Sequence, residues 1–315
     1  MSYLDLLADL QAETAGIARQ EPEGYRKLRT GTLENRPGSE GAYFGALDIA
    51  HGMLRDFAMY TVYPTLALHR EQHDVGVSRA VVRQMFPTVL NYLGYSGFPE
   101  MKRLGHQLLE VSGHCDWAQF EQLLVAFLRY VNTLYAWCYH WFPWNLGDAM
   151  RYPDGDAHKA PLAGGDIVDT LVPTDTLIRL RWAPLGIEVR AFLCVDRNPE
   201  LCQELLDALP FTCLQSHPMV SGESIFAWTP LTSTAPTPFK EEIRTAPIGR
   251  LRFSQRTGQK LTLQYGVTSE DILSPVLGSV LPEDRHLLRA VGTAVWASTY
   301  ESKVEIWLTV ERCPA

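Results

Sequence analysis

The sequence predicts an α+β protein: an N-terminal helical bundle over residues 1–150, then a β-barrel or curved antiparallel sheet over residues 176–315. Apolar residues recur at three- and four-residue spacing through the first half, glycine and proline are spread through the linker or surface loop at residues 151–175, and the period shortens to two after Thr176. At 315 residues the chain exceeds the comfortable size of one core, and its 46% hydrophobic content is ample for two.

The elements follow in order. Leu4, Leu7 and Leu10 mark a short amphipathic helix that Glu21-Pro22-Glu23-Gly24 stops. A second apolar run, from Phe44 and Leu47 through Phe57 to Tyr63, is expected to end against Pro64. Ser78 is placed to cap a helix over Arg79 to Leu93 with a kink at Pro87, and Pro99 opens another over Glu100 to Val111. Asp116 with Gln119 three residues on forms a capping box, after which apolar positions from Trp117 to Phe142 repeat helically. Helices this apolar require one another for burial, which implies a bundle.

In the second half, Leu177 to Trp182 and Ile187 to Leu193 flank the turn Ala183-Pro184-Leu185-Gly186, and Asn198-Pro199 starts a short helix. Strands are expected at Ser224 to Thr229, Arg250 to Ser254, Lys260 to Tyr265 and Val304 to Val310, with a helix near Glu283 to Val291. Few helices among many strands favour a barrel over a doubly wound parallel sheet.

A net charge of -8 with no dense Lys/Arg cluster makes nucleic acid an unexpected partner. The apolar stretch Phe120 to Phe142 contains Glu121, Arg129, Asn132 and His140, which suits a core helix and not a membrane span. The N-terminus lacks a basic signal region, so a cytoplasmic protein is expected. Six cysteines without a CxxC pair signal neither zinc nor a redox dithiol. No phosphate cradle or dinucleotide fingerprint is present, and no cofactor or metal is expected. Exposed aromatics in both halves are compatible with a homodimer.

Three clusters carry candidate chemistry. His69 and His73 have the i, i+4 spacing of a metal chelate, but the intervening residues are not those of HExxH, and a polar, solvated helix end is the favoured reading. Tyr139-His140-Trp141-Phe142-Pro143-Trp144 is rich enough in aromatics to wall a planar substrate, with His140 and Trp144 as substrate-binding candidates; a packed domain interface is the alternative. His217-Pro218-Met219-Val220-Ser221-Gly222-Glu223 gathers an imidazole, a hydroxyl and a carboxylate around a glycine that permits close backbone approach.

Across roughly residues 175–311, the order of elements with Leu209-Pro210, His217, Ser221-Gly222-Glu223 and Tyr265-Gly266 resembles the bacterial cyclophilin-like β-barrel families. A helical bundle joined to such a barrel is similar to cucumopine and mikimopine synthase and to bacterial β-carboline-forming Pictet-Spengler enzymes. That resemblance implies condensation of a tryptophan- or histidine-like amino acid with an aldehyde or 2-oxo acid, followed by ring closure, without a cofactor. On this expectation Glu223 is a general base whose proton affinity is raised by burial, and His217 shares its catalytic pocket; Ser221, His140 and Trp144 contact substrate. The expectation from a different class is a non-catalytic protein that binds a small molecule or a partner through the cyclophilin-like domain.

Overall fold

The computed structural model describes residues 1–17, 26–27, 30–32, 47–72, 74–142 and 167–313. Its chain divides into two compact units, Met1–Pro143 and Trp144–Ala315.

Among the described residues the first unit is wholly helical: α1 Tyr3–Gly16, α2 Leu47–Phe57, α3 Tyr63–Gln72, α4 Val75–Tyr95, α5 Pro99–Ser112 and α6 Trp117–Trp141. The expected stop at Pro64 does not occur. A π turn, Ala58–Val62, separates α2 from α3, and Tyr63 N–H bonds back five residues to Ala58 O. The change of hydrogen-bond pattern falls where Pro64 lacks a donor, so the chain stays helical through it. Ser78 is no cap either: Asp74 caps α4 by accepting from Gly76 N at 2.7 Å, and Ser78 lies buried inside the helix. The capping box at Asp116 and Gln119 forms as expected, and Pro99 occupies the first turn of α5.

The bundle packs around α6, whose Phe127 meets Phe57 and Phe86 at ring-centroid distances of 6.1 and 5.9 Å. Gly105 of α5 lets Leu90 of α4 approach, since a Cβ there would lie 2.3 Å from a Leu90 methyl. No helix among the described residues is long and apolar enough to cross a membrane.

The second unit is a closed antiparallel barrel. Its strands are β1 Leu177–Trp182, β2 Ile187–Leu193, β3 Phe211–Ser216, β4 Gly222–Trp228, β5 Lys240–Glu242, β6 Arg250–Ser254, β7 Lys260–Thr268, β8 Leu273–Val280 and β9 Trp307–Arg312. Around the barrel the order is β2-β1-β9-β3-β4-β7-β6-β8, and β8 closes the circle on β2; the short β5 also pairs with β8. Closure removes the sheet edges that an open sheet would expose. It depends on Gly278, where a Cβ would stand 1.8 Å from Phe192 O.

Inside, Leu180, Val189, Leu251, Phe253 and Leu263 form one apolar core with two helices, α7 Pro199–Ala208 and α8 Leu288–Ala297. Even-numbered residues of β6 and β7 face the other way, yet several are buried: Arg250, Arg252 and Gln264. Part of that cover is local, because Gln264 Nε2 donates to Ala246 O at 2.9 Å and Thr268 Oγ1 to Ile243 O at 3.0 Å. Asp169 is tied to the barrel by Arg250 at 2.9 Å and Arg285 at 2.5 Å. All six cysteines are free thiols, and all but Cys313 are buried.

Candidate active site

The site begins with a flaw in the β4–β7 ladder. Gly222 pairs with Thr268 but Ser224 pairs with Gln264, so Tyr265, Gly266 and Val267 together oppose the single residue Glu223. Such a bulge re-aims a side chain, and here the redirected one is a carboxylate. Two glycines make room for it. Gly222 has φ +80° and a Cβ on it would lie 2.5 Å from Val267 O; a Cβ on Gly266 would lie 2.0 Å from Glu223 Oε2.

Glu223 is 6% exposed. Its Oε2 accepts from Val267 N at 2.7 Å, and Arg289 of α8 grips both oxygens, Nη1 on Oε1 and Nη2 on Oε2 at 3.2 Å. Burial alone would favour the neutral acid, as expected from sequence. An amide donor and a guanidinium both favour the anion, so the structure supplies a held carboxylate. Arg289 is the solvent-facing member of the pair, with 43% of its side chain exposed against 7% for Glu223.

Behind this pair stands an aromatic group. The Arg289 guanidinium lies 5.7 Å from the Tyr265 ring centroid, and the ring packs where Gly292 of α8 has no side chain. Tyr265 Oη is 2.8 Å from His217 Nε2, and His217 Nδ1 is 2.8 Å from Pro218 O. A carbonyl only accepts, so Nδ1 carries the hydrogen and Nε2 accepts from the tyrosine hydroxyl. Burial pushes His217 down to about 4, against the opposing pull of Pro218 O and Glu223, which leaves it neutral. Its backbone is pinned by Thr299 Oγ1 at 3.2 Å and by the Tyr300 hydroxyl at 2.7 Å, and Trp296 meets its ring edge-on at 4.9 Å.

Of the residues singled out from sequence, the barrel brings Glu223 and His217 into one buried group, linked through Tyr265 and Arg289. Ser221 lies beside them in the chain, but its hydroxyl donates to Glu270 Oε1 at 2.6 Å. His140 belongs to the helical unit: it is fully buried in the last turn of α6, with its ring edge-on to Trp141 at 5.2 Å. Trp144 lies outside the described residues. So does His73.

His69 is not on a solvated helix end. It is fully buried, stacked on Trp117 at 4.7 Å, with Nδ1 3.0 Å from Ser78 Oγ and Nε2 2.9 Å from Trp117 O. Both ring nitrogens are engaged, which leaves no lone pair for a metal. Among the described residues no group of three or more His, Cys, Asp or Glu is arranged to hold one.

Sequence reasoning missed Arg289. The available signal was glycine placement: Gly266 within a strand and Gly292 within an apolar helix each mark a close approach.

Residues 3–141 match the family described as the Cucumopine synthase C-terminal helical bundle domain. The description places that domain at the C-terminal end, whereas here the matching residues precede the barrel. No curated protein matches the sequence. Seven chains among solved structures match it. One is McbB in complex with tryptophan, 34% identical with a TM-score of 0.41, covering 44% of this chain and 45% of McbB. Another is the hypothetical protein AF2241 from Archaeoglobus fulgidus, solved in solution, 15% identical with a TM-score of 0.33, covering 46% of this chain and all of that protein. The matched region thus spans less than half the length of McbB.

Proposed function

We propose that this protein is a cofactor-independent cyclase that condenses a tryptophan- or histidine-like amino acid with an aldehyde or 2-oxo acid by Pictet-Spengler chemistry. The observation that carries the reading is Glu223: a buried carboxylate, hydrogen-bonded by Val267 N–H and paired with Arg289, set on a bulge beside Tyr265. The helical-domain match to cucumopine synthase supports the same reaction class.

The chemistry asks little more than such a group. The amine and carbonyl join to an imine with loss of water, and the protonated imine carbon is attacked by the electron-rich ring to form the new carbon–carbon bond. The ring carbon then surrenders its hydrogen as a proton to Glu223, which restores aromaticity and balances the proton taken up by the imine. Arg289 holds the carboxylate ionised and oriented before this transfer. Neutral His217 acts through Tyr265, whose hydroxyl it fixes, and Tyr265 in turn supports the Arg289 guanidinium. Ser221 orients the turn before Glu223 through its bond to Glu270.

The test is incubation of the purified protein with tryptophan or histidine and a panel of aldehydes and 2-oxo acids, read by mass spectrometry. A product mass equal to both reactants minus water, lost in Glu223→Gln, supports the cyclase. Substrate binding without any such mass would make the chain a binding protein.

A further inference from the structure

A second buried charge lies on β6, and no carboxylate among the described residues is in hydrogen-bond contact with it, although Glu241 and Glu270 act on it through space. Arg250 and Arg252 alternate along β6, so both side chains leave the strand on the face turned away from the apolar core. Their surroundings differ. Arg250 is neutralised, with Nε 2.6 Å from Glu241 Oε2 and Nη2 2.9 Å from Asp169 Oδ1.

Arg252 is 1% exposed and makes one hydrogen bond, from Nη1 to Gln264 Oε1 at 2.9 Å. Its Nε and Nη2 are buried with no hydrogen-bond partner among the described residues. Those two atoms are neighbours on one edge of the guanidinium, the edge whose parallel N–H bonds match the two oxygens of a carboxylate. The Nη1 bond to Gln264 fixes the plane and leaves that edge uncommitted.

The fork is connected to the candidate base by a short chain of contacts. Gln264 Nε2 donates to Gly266 O at 3.1 Å, and Gly266 is the residue over which the Glu223 carboxylate lies. Arg252, Gln264, Gly266 and Glu223 are thus joined by a chain of contacts across β6, β7 and β4. A buried guanidinium with two unused donors is costly to the free protein, and an anion with two acceptors relieves that cost. Burial and the neighbouring Arg250 charge also lower the Arg252 guanidinium to about 10, so its cation gains most from an added anion.

We infer that the Nε/Nη2 edge of Arg252 is a carboxylate-binding site that anchors an organic acid ligand side-on. That the ligand is a cyclase substrate rests on the reading of Glu223 above; the carboxylate specificity does not. Two sources supply the same chemistry, the carboxylate of the amino acid and that of a 2-oxo acid.

Thermal shift and titration calorimetry separate them with pairs differing only in the carboxylate: tryptophan against tryptamine, and pyruvate against acetaldehyde. In the wild-type protein the acid of one pair is expected to bind and to raise Tm, while its counterpart does not; the responding pair names the source. Arg252→Met is expected to weaken that acid by about 10- to 100-fold, the range for a charged hydrogen-bonded partner. Arg252→Lys keeps the charge without the fork and is expected to fall between; it also serves if the methionine variant does not fold. Glu223→Gln is expected to keep the preference for the acid, so loss of turnover there with retained binding separates base from anchor. If the substitution of Glu223 leaves turnover intact while Arg252→Lys still weakens the acid, the base assignment fails and the anchor stands. Equal affinity of wild type and both Arg252 variants for every acid, or no preference for either acid over its counterpart, overturns the inference.

Discussion

Each unit buries a histidine with both ring nitrogens engaged, and the two lead to different places. His69 in the helical unit bonds to Ser78 and to the Trp117 carbonyl, which hold α3 to α4 and α6. His217 in the barrel bonds to Tyr265, and from there the contacts run through Arg289 to a buried carboxylate. Burial and saturation of a polar side chain do not by themselves distinguish structure from chemistry; what lies one contact further on does. The metal-chelate spacing belongs to the histidine that holds helices together.

The sharpest way to break this comparison uses one Arg–Glu pair from each unit. Glu223→Gln in the barrel is expected to lower turnover by about 10²–10⁴-fold, the range for a general base, with the fold intact by circular dichroism. Its counterpart in the bundle is Glu121, 2.7 Å from Arg70 and about a quarter exposed. Glu121→Gln is expected to cost about 1 kcal/mol or less and to leave turnover unchanged. Similar turnover in the two variants would refute the assignment of chemistry to the barrel.

Glycines give the next contrast, in stability. A Cβ on Gly278 meets backbone, 1.8 Å from Phe192 O at the β2–β8 seam, and backbone there cannot give without opening the barrel. Gly278→Ala is expected to destabilise by about 4 kcal/mol or more in urea unfolding. Gly105→Ala meets only the end of the Leu90 side chain, which can rotate, and about 1–3 kcal/mol is expected, offset in part by helix propensity. The reverse ranking would mean that the seam is not what holds the barrel closed.

Acid should act on both units. Burial lowers His217 to about 4 and His51 of α2 to about 3, below the value of roughly 6.5 for an exposed histidine. As pH falls below 6.5 the unfolded chain takes up protons that the folded one refuses. The stabilisation is therefore complete above 6.5 and is lost on descent towards each folded value, at most on the order of 3–5 kcal/mol per group. The urea midpoint is expected to fall between pH 7 and 4, and His51→Phe, which cannot protonate, to flatten the helical unit's share. A variant whose midpoint falls in parallel with the wild type would show that His51 does not contribute.

How much of this was legible follows from local chemistry. The capping box at Asp116, the proline start at Pro99 and the hairpin at Ala183-Pro184-Leu185-Gly186 are short-range signals, and each formed as expected. Strand β8 went unread because Pro275 and Gly278 interrupt it, and both residues have tertiary reasons: Pro275 pairs with the short β5, and Gly278 admits Phe192 O. Glu223 was legible as a carboxylate next to a flexible glycine and its burial was expected, but not the register slip against β7 that produces it. Arg252 gave no warning, since polar residues alternating along a strand read as a solvated face, and only the folded chain shows that face to be covered.

The smallest contrast sets two hydroxyl- or carboxylate-capped turns against each other. Asp116 accepts from Gln119 N at 2.8 Å, and Asp116→Ala is expected to cost the bundle about 1 kcal/mol, as for other caps. Ser221 donates to Glu270 across 2.6 Å, and Ser269 Oγ donates to Val220 O at 2.9 Å, so the turn entering β4 is held at more than one point. Ser221→Ala removes one of these ties; a loss of about 1 kcal/mol or less is expected, with KM altered by no more than about threefold. A drop in kcat as deep as that of Glu223→Gln would place the hydroxyl against the reacting atoms, and its bond to Glu270 would then describe only the ligand-free site.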